Sequence, residues 1–110
     1  MKKFTILIPI YNDWESLTKL LNNIKENIKD IKETQFDCVI INDCSTIENP
    51  KIRIPNQINS VKIIHMSKNK GHARCNAFGI NYLSSSLDFD YLILMDGDGE
   101  DRPEEIKLLV

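Results

Sequence analysis

The sequence predicts an α/β domain built on a mostly parallel, doubly wound sheet with flanking helices. Three observations predict it: short apolar runs rich in β-branched residues, stretches between them with apolar residues at three- and four-residue steps, and polar clusters directly after the runs. Apolar runs without polar alternation suit strands covered on both faces, the habit of parallel sheets. Strands that alternate with helices need crossover connections, and such sheets bind ligands outside the carboxyl ends of the strands, where the winding reverses.

Phe4-Thr5-Ile6-Leu7-Ile8-Pro9 is the first predicted strand, and Pro9, lacking an N–H, is expected to end its ladder. Tyr11-Asn12-Asp13 follows as a polar loop, with Asn12 and Glu15 spaced as an N-capping pair. Leu17, Leu20, Leu21, Ile24, Ile28 and Ile31 recur at helical steps among Lys19, Asn22, Asn23, Lys25 and Glu26, which predicts a helix with one buried stripe. Residues 36–41 form a second apolar run, stopped by Asn42-Asp43-Cys44-Ser45-Thr46. The stretch holding Pro50 and Pro55 lacks helical period and predicts a meandering connection. Residues 61–66 predict another strand, with Ser67-Lys68-Asn69-Lys70-Gly71 as its turn. Ala73, Ala77, Ile80 and Leu83 predict a second helix, in which Gly79 implies close packing.

Tyr91-Leu92-Ile93-Leu94-Met95 predicts a central strand buried on both faces, which delivers Asp96-Gly97-Asp98 to its carboxyl end. Arg102-Pro103-Glu104-Glu105 opens a final helix, with Pro103 in the first turn where its missing N–H costs nothing. All the polar clusters follow strands and are expected to share one edge.

The 110 residues are 42% hydrophobic and 27% charged, which suits one folded domain rather than a disordered chain. A formal net charge of −2 gives no broad basic field, so no nucleic-acid partner is expected. Cys38, Cys44 and Cys75 have neither zinc-site nor disulfide-framework spacing, and a reducing cytoplasm fits them best. The run after Met1-Lys2-Lys3 is too short for a signal peptide, and no segment approaches a membrane span.

The acidic tripeptide carries the most chemistry. Two ionised carboxylates some 4–5 Å apart repel by about 3–4 kcal/mol at an effective dielectric near 20, and a hard divalent cation removes that penalty. A polar turn is the plain alternative. A calcium loop of the EF-hand type is disfavoured by Asp101 at its sixth position and Lys107 at its twelfth. An aspartyl phosphatase of the haloacid dehalogenase kind would use one carboxylate as nucleophile and the other as acid/base, but wants Thr or Val where Glu100 stands.

Four motifs in register resemble those of family 2 glycosyltransferases: Pro9-Ile10-Tyr11-Asn12; Asn42-Asp43-Cys44-Ser45-Thr46; Asn69 through Gly71, Ala73, Arg74 and Asn76 to Gly79; and Met95-Asp96-Gly97-Asp98 with Pro103-Glu104-Glu105. The resemblance implies the N-terminal, nucleotide-sugar-binding portion of a Rossmann-like GT-A fold, C-terminally incomplete, over residues 1–110. It implies inverting transfer of a sugar from a UDP- or GDP-linked donor to a saccharide or lipid-linked acceptor, assisted by Mg²⁺ or Mn²⁺. By position, Pro9, Tyr11, Asp13, Asp43, Arg74 and Asp96 fall in the donor-binding motifs, and Asp98 with Asp96 at the metal. No catalytic base is expected before Val110, since the family places it downstream, so this chain alone is expected to transfer nothing. The family usually has an acidic pair and then Gly where this chain has Asn42-Asp43-Cys44, and Glu is common where Asp13 stands. A non-catalytic nucleotide-sugar-binding module is the alternative reading. An exposed apolar sheet edge would favour a homo-oligomer, and a membrane segment elsewhere in a longer protein would place the chain at the cytoplasmic membrane face.

Overall fold

The computed structural model describes residues 1–47, 53–86 and 89–95. The predicted final helix from Arg102, the acidic tripeptide and part of the connection around Pro50 lie outside the described residues. In chain order the elements are β1 (Lys2–Ile10), α1 (Trp14–Ile28), β2 (Thr34–Asn42), β3 (Ser60–His65), α2 (His72–Ser86) and β4 (Tyr91–Leu94). The four strands form one sheet in the order β3-β2-β1-β4, and every pairing is parallel. The predicted fold class is the observed one. From β1 the chain winds outward to β3, then returns across the sheet to β4, so the winding reverses between β1 and β4.

The two helices cover opposite faces, as this reversal requires if both crossovers keep the same hand. Even-numbered residues of β1 and β2, among them Phe4, Ile6, Ile8, Phe36, Cys38 and Ile40, pack with the α1 stripe of Trp14, Leu17, Leu20, Leu21, Ile24 and Ile28. Odd-numbered Leu7, Val39 and Ile41 pack with Cys75 and Leu83 of α2 on the other face. Phe4 joins three strands on the first face, with its ring centroid 5.2 Å from Phe36 and 4.9 Å from Tyr91. Such offset cross-strand stacks help fix the register.

Pro9 does not end the strand as expected. β1 continues to Ile10 and pairs with β2 throughout, whereas among the described residues its pairing with β4 runs from Phe4 to Leu7. The carbonyls of Lys3 and Leu7 accept from the β4 side, and that of Ile10 from the β2 side. Pro9 shares the parity of Lys3 and Leu7, so its missing N–H faces the β4 side and leaves the β2 ladder whole.

Two further expectations are corrected. The strand expected to be central is, among the described residues, an edge strand, with Tyr91 50% and Leu94 47% exposed. Its unbroken apolar run gave no sign of position within the sheet. On α2 the buried positions are Cys75, Gly79 and Leu83, whereas Ala73, Ala77 and Ile80 are exposed. Alanines carry little apolar area, so the contact at Gly79 decides which face turns inward. A Cβ at position 79 would lie 2.6 and 2.7 Å from the Leu7 Cδ atoms and 3.2 Å from its Cγ.

At the end of the sheet away from the polar loops, Asp37 binds the start of β3. Its carboxylate accepts from Asn59 Nδ2 at 2.8 Å, Ser60 Oγ at 2.6 Å and Gln35 Nε2 at 3.1 Å. Burial alone would raise this carboxyl, but the hydrogen bonds from Ser60, Asn59 and Gln35, with the charge of Lys3, hold it below its ordinary value.

Two outcomes follow. Gly79→Ala lowers stability by about 1–2 kcal/mol, although alanine is worth about 1 kcal/mol more than glycine in a helix interior, because Leu7 is fully enclosed; urea unfolding measures the difference. A depressed carboxyl stabilises above its unfolded pKa and loses that contribution as pH falls through the folded one. Asp37→Asn therefore unfolds at lower urea than the parent at pH 7, and the gap closes on acidification below about pH 4.

Candidate functional site

The loops that follow β1, β2 and β3 are hydrogen-bonded into one rim at the carboxyl end of the sheet. The Asp43 N–H donates to the Ile10 carbonyl at 2.8 Å, and the Met66 N–H to the Asn42 carbonyl at 2.8 Å. Asp43 is 1% exposed, and its carboxylate accepts from the backbone N–H groups of Lys70 at 2.6 Å and Gly71 at 2.8 Å. These amides lie just before α2, where helix geometry leaves donors without intrahelical partners and carries a positive partial charge. The Asn69 Nδ2 donates to the Asp43 carbonyl at 3.3 Å, so the same residue is held on both sides.

Asn12 ties the loop after β1 to the loop after β2. Its backbone N–H donates to Ser45 Oγ at 2.9 Å, its Nδ2 to Thr46 Oγ1 at 3.0 Å, and its Oδ1 accepts from the Ile47 N–H at 2.9 Å. Trp14 Nε1 donates to the Ile47 carbonyl at 3.0 Å. The expected capping pair is absent: Asp13, not Asn12, precedes α1, and its side chain makes no cap hydrogen bond. The cross-loop bonds claim the Asn12 side chain instead.

Each of the three loops holds one residue in the left-handed region, Asn12 at φ 61, Cys44 at φ 58 and Gly71 at φ 86. Glycine adopts this conformation freely and asparagine tolerates it, but for cysteine it costs on the order of 1 kcal/mol. Cys44 thus occupies the backbone state for which the related motif supplies glycine. Its thiol reaches the Ser67 carbonyl at 3.6 Å.

The residues singled out from the sequence are distributed unequally over this rim. Pro9 is buried in β1, Asp13 and Arg74 are exposed, and Tyr11 is 37% exposed. Among the described residues Arg74 has no hydrogen-bond or ion-pair partner. The chain leaves the sheet at Met95, whose N–H donates to the Leu7 carbonyl at 3.0 Å. Asp96 and Asp98 lie outside the described residues. Sequence reasoning gave no role to Asn42, Ser45, Thr46, Trp14 or His65, all of which hold the rim together. Only Asn42, Ser45 and Thr46 had a signal, their place in a post-strand polar cluster. Beneath the rim, burial together with the hydrogen bond to Asp43 and its charge pushes the Cys75 thiol up to about 12, so it stays protonated.

The sequence matches the family model of Glycosyl transferase family 2 over residues 5–110. The chain belongs to this family. Among curated family relatives it is 33% identical over 73 residues to the poly(ribitol-phosphate) β-N-acetylglucosaminyltransferase TarS of Staphylococcus aureus, covering 64% of this chain and 12% of that protein. It is 29% identical over 113 residues to the undecaprenyl-phosphate 4-deoxy-4-formamido-L-arabinose transferase of Photorhabdus laumondii, covering all of this chain and 33% of that one. The crystal structure of S. aureus TarS 1-349 superposes with a TM-score of 0.75 at 25% identity, over 99% of this chain and 31% of the other. The TarS 1-349 complex with UDP-GlcNAc gives a TM-score of 0.68 at 26% identity, over 99% of this chain and 30% of the other. The chain therefore spans a third or less of the length of these relatives. Family membership replaces the phosphatase reading of the chain.

Cys44→Gly is expected to raise stability by about 1 kcal/mol, because it relieves the left-handed strain and gives up only a weak thiol contact. A thermal midpoint a few degrees above the parent checks this.

Proposed function

We propose that the rim is the donor site of a glycosyltransferase and that this chain binds a nucleoside-diphosphate sugar. The observation that carries the reading is the convergence of three post-strand loops on one edge, beside the point where the winding reverses. Family membership supplies the reaction class, and the UDP-GlcNAc complex of TarS supplies a donor to test first.

Within this reading the residues divide by exposure. Asp43 shapes the site: its carboxylate is enclosed and holds the turn before α2. Tyr11 offers an accessible ring against a base, and Arg74 a guanidinium that has no partner among the described residues, for phosphate oxygens. Two carboxylates one residue apart suit a hard cation, so Asp96 and Asp98 would hold Mg²⁺ or Mn²⁺. Such an ion neutralises charge that develops on a departing diphosphate. Displacement with inversion then needs an acceptor hydroxyl, of a saccharide or a lipid-linked chain, on the opposite side of the sugar ring, with a base to take its proton.

Calorimetric titration with UDP-GlcNAc and GDP-mannose, with and without Mn²⁺, tests the assignment. One donor binds in the presence of Mn²⁺, and Asp98→Ala weakens it about tenfold or more, in keeping with loss of a charged metal ligand. Binding indifferent to both metal and substitution overturns the metal-bridged site.

A further inference from the structure

The hydrogen bonds behind the rim determine where one proton sits. The Ser45 backbone N–H, which can only donate, points at one terminal atom of the Asn42 side chain at 3.1 Å, which makes that atom the oxygen. Ser45 Oγ donates to the same oxygen. The other terminal atom of Asn42 is then the NH₂ group, and it faces His65 Nδ1 at 2.9 Å. A side-chain NH₂ cannot accept, so Nδ1 carries no hydrogen and the neutral ring holds its proton on Nε2.

Register produces this contact: Asn42 and His65 are partners at the last rung between β2 and β3. The relay runs onward without ambiguity. Ser45 Oγ gives its hydrogen to Asn42, so its lone pairs receive the Asn12 N–H. Turning the Asn42 amide over would set NH₂ against the Ser45 N–H and cost Ser45 that bond.

We infer that His65 is a positioning residue of the rim: as a bare Nδ1 acceptor it holds the Asn42 amide in the one orientation that fixes Ser45 and, through it, Asn12. Its bearing on donor binding rests on the function proposed above, whereas the relay itself does not. The titratable groups around it are otherwise engaged or exposed. Asp43 is spent on the Lys70 and Gly71 amides, the Cys44 thiol points to Ser67, Lys62 lies on Tyr82, and Asp13 and Lys68 are exposed. Among the described residues His65 forms no ion pair. The identity of residue 42 is the lever. An aspartate there would have no N–H for Nδ1, and the two facing acceptors are reconciled by a proton on that nitrogen.

Long-range ¹H–¹⁵N correlation spectra of the labelled chain at pH 8 decide the matter. The parent shows His65 protonated on Nε2 alone, and Asn42→Asp shows a proton on Nδ1; a parent Nδ1–H, or no change in the variant, overturns the inference. His65→Gln keeps an acceptor and leaves exchange of the Ser45 amide within twofold of the parent, whereas His65→Leu accelerates it about 5- to 10-fold, the effect of one hydrogen bond. UDP titration of the same variants follows that pattern, with weaker binding for His65→Leu only. If the parent binds UDP and His65→Leu binds it equally well, His65 positions nothing that the ligand feels. If the parent binds neither UDP nor GDP in the presence of Mn²⁺, the donor reading fails and the spectra alone still judge the relay.

Discussion

One enclosed carboxylate governs the architecture of the rim. Asp43 is desolvated almost completely, and such a group is tolerated only where donors replace its lost water. The amides of Lys70 and Gly71 are those donors, and they in turn lack intrahelical partners at the entrance to α2. Each side thus satisfies a need of the other, and the distance between the end of β2 and the start of α2 is fixed by two charge-assisted bonds. The neighbouring contacts of Asn69, Asn42 and Ser45 extend this fixed geometry along the edge.

A second constraint is topological. Because the chain returns across the sheet to reach β4, the winding reverses between β1 and β4, the place where open parallel sheets bind ligands. The loops after β1, β2 and β3 form a preassembled wall, and the chain emerges beside it at Met95.

Much of this was legible in the sequence. Apolar runs and helical steps located the described strands and helices, and the stripe on α1 was read correctly because Leu and Ile repeat there without competitors. The shared edge of the three polar clusters among the described residues followed from their position after parallel strands. The face of α2 was not legible, since its alanines and its glycine offer no hydrophobic contrast and a contact with Leu7 settles the rotation. Edge and central strands read alike when both are apolar, which hid the position of β4 among the described strands. Asn12 read as a helix cap because its residue type suits both roles, and only tertiary contacts to Thr46 and Ile47 distinguish them. His65 carried no signal, because its partner lies in a strand brought beside it by the fold.

The contact between Gly79 and Leu7 has a consequence for sequence divergence. With no side chain at one position, the isobutyl group at the other fills the gap between helix and sheet, so the two behave as a single quantity of volume. Neither can drift alone. In family members where the helix position acquires a methyl group, the strand position should carry a shorter residue such as valine or alanine, and the pair should covary although 72 residues separate them in this chain (79 − 7).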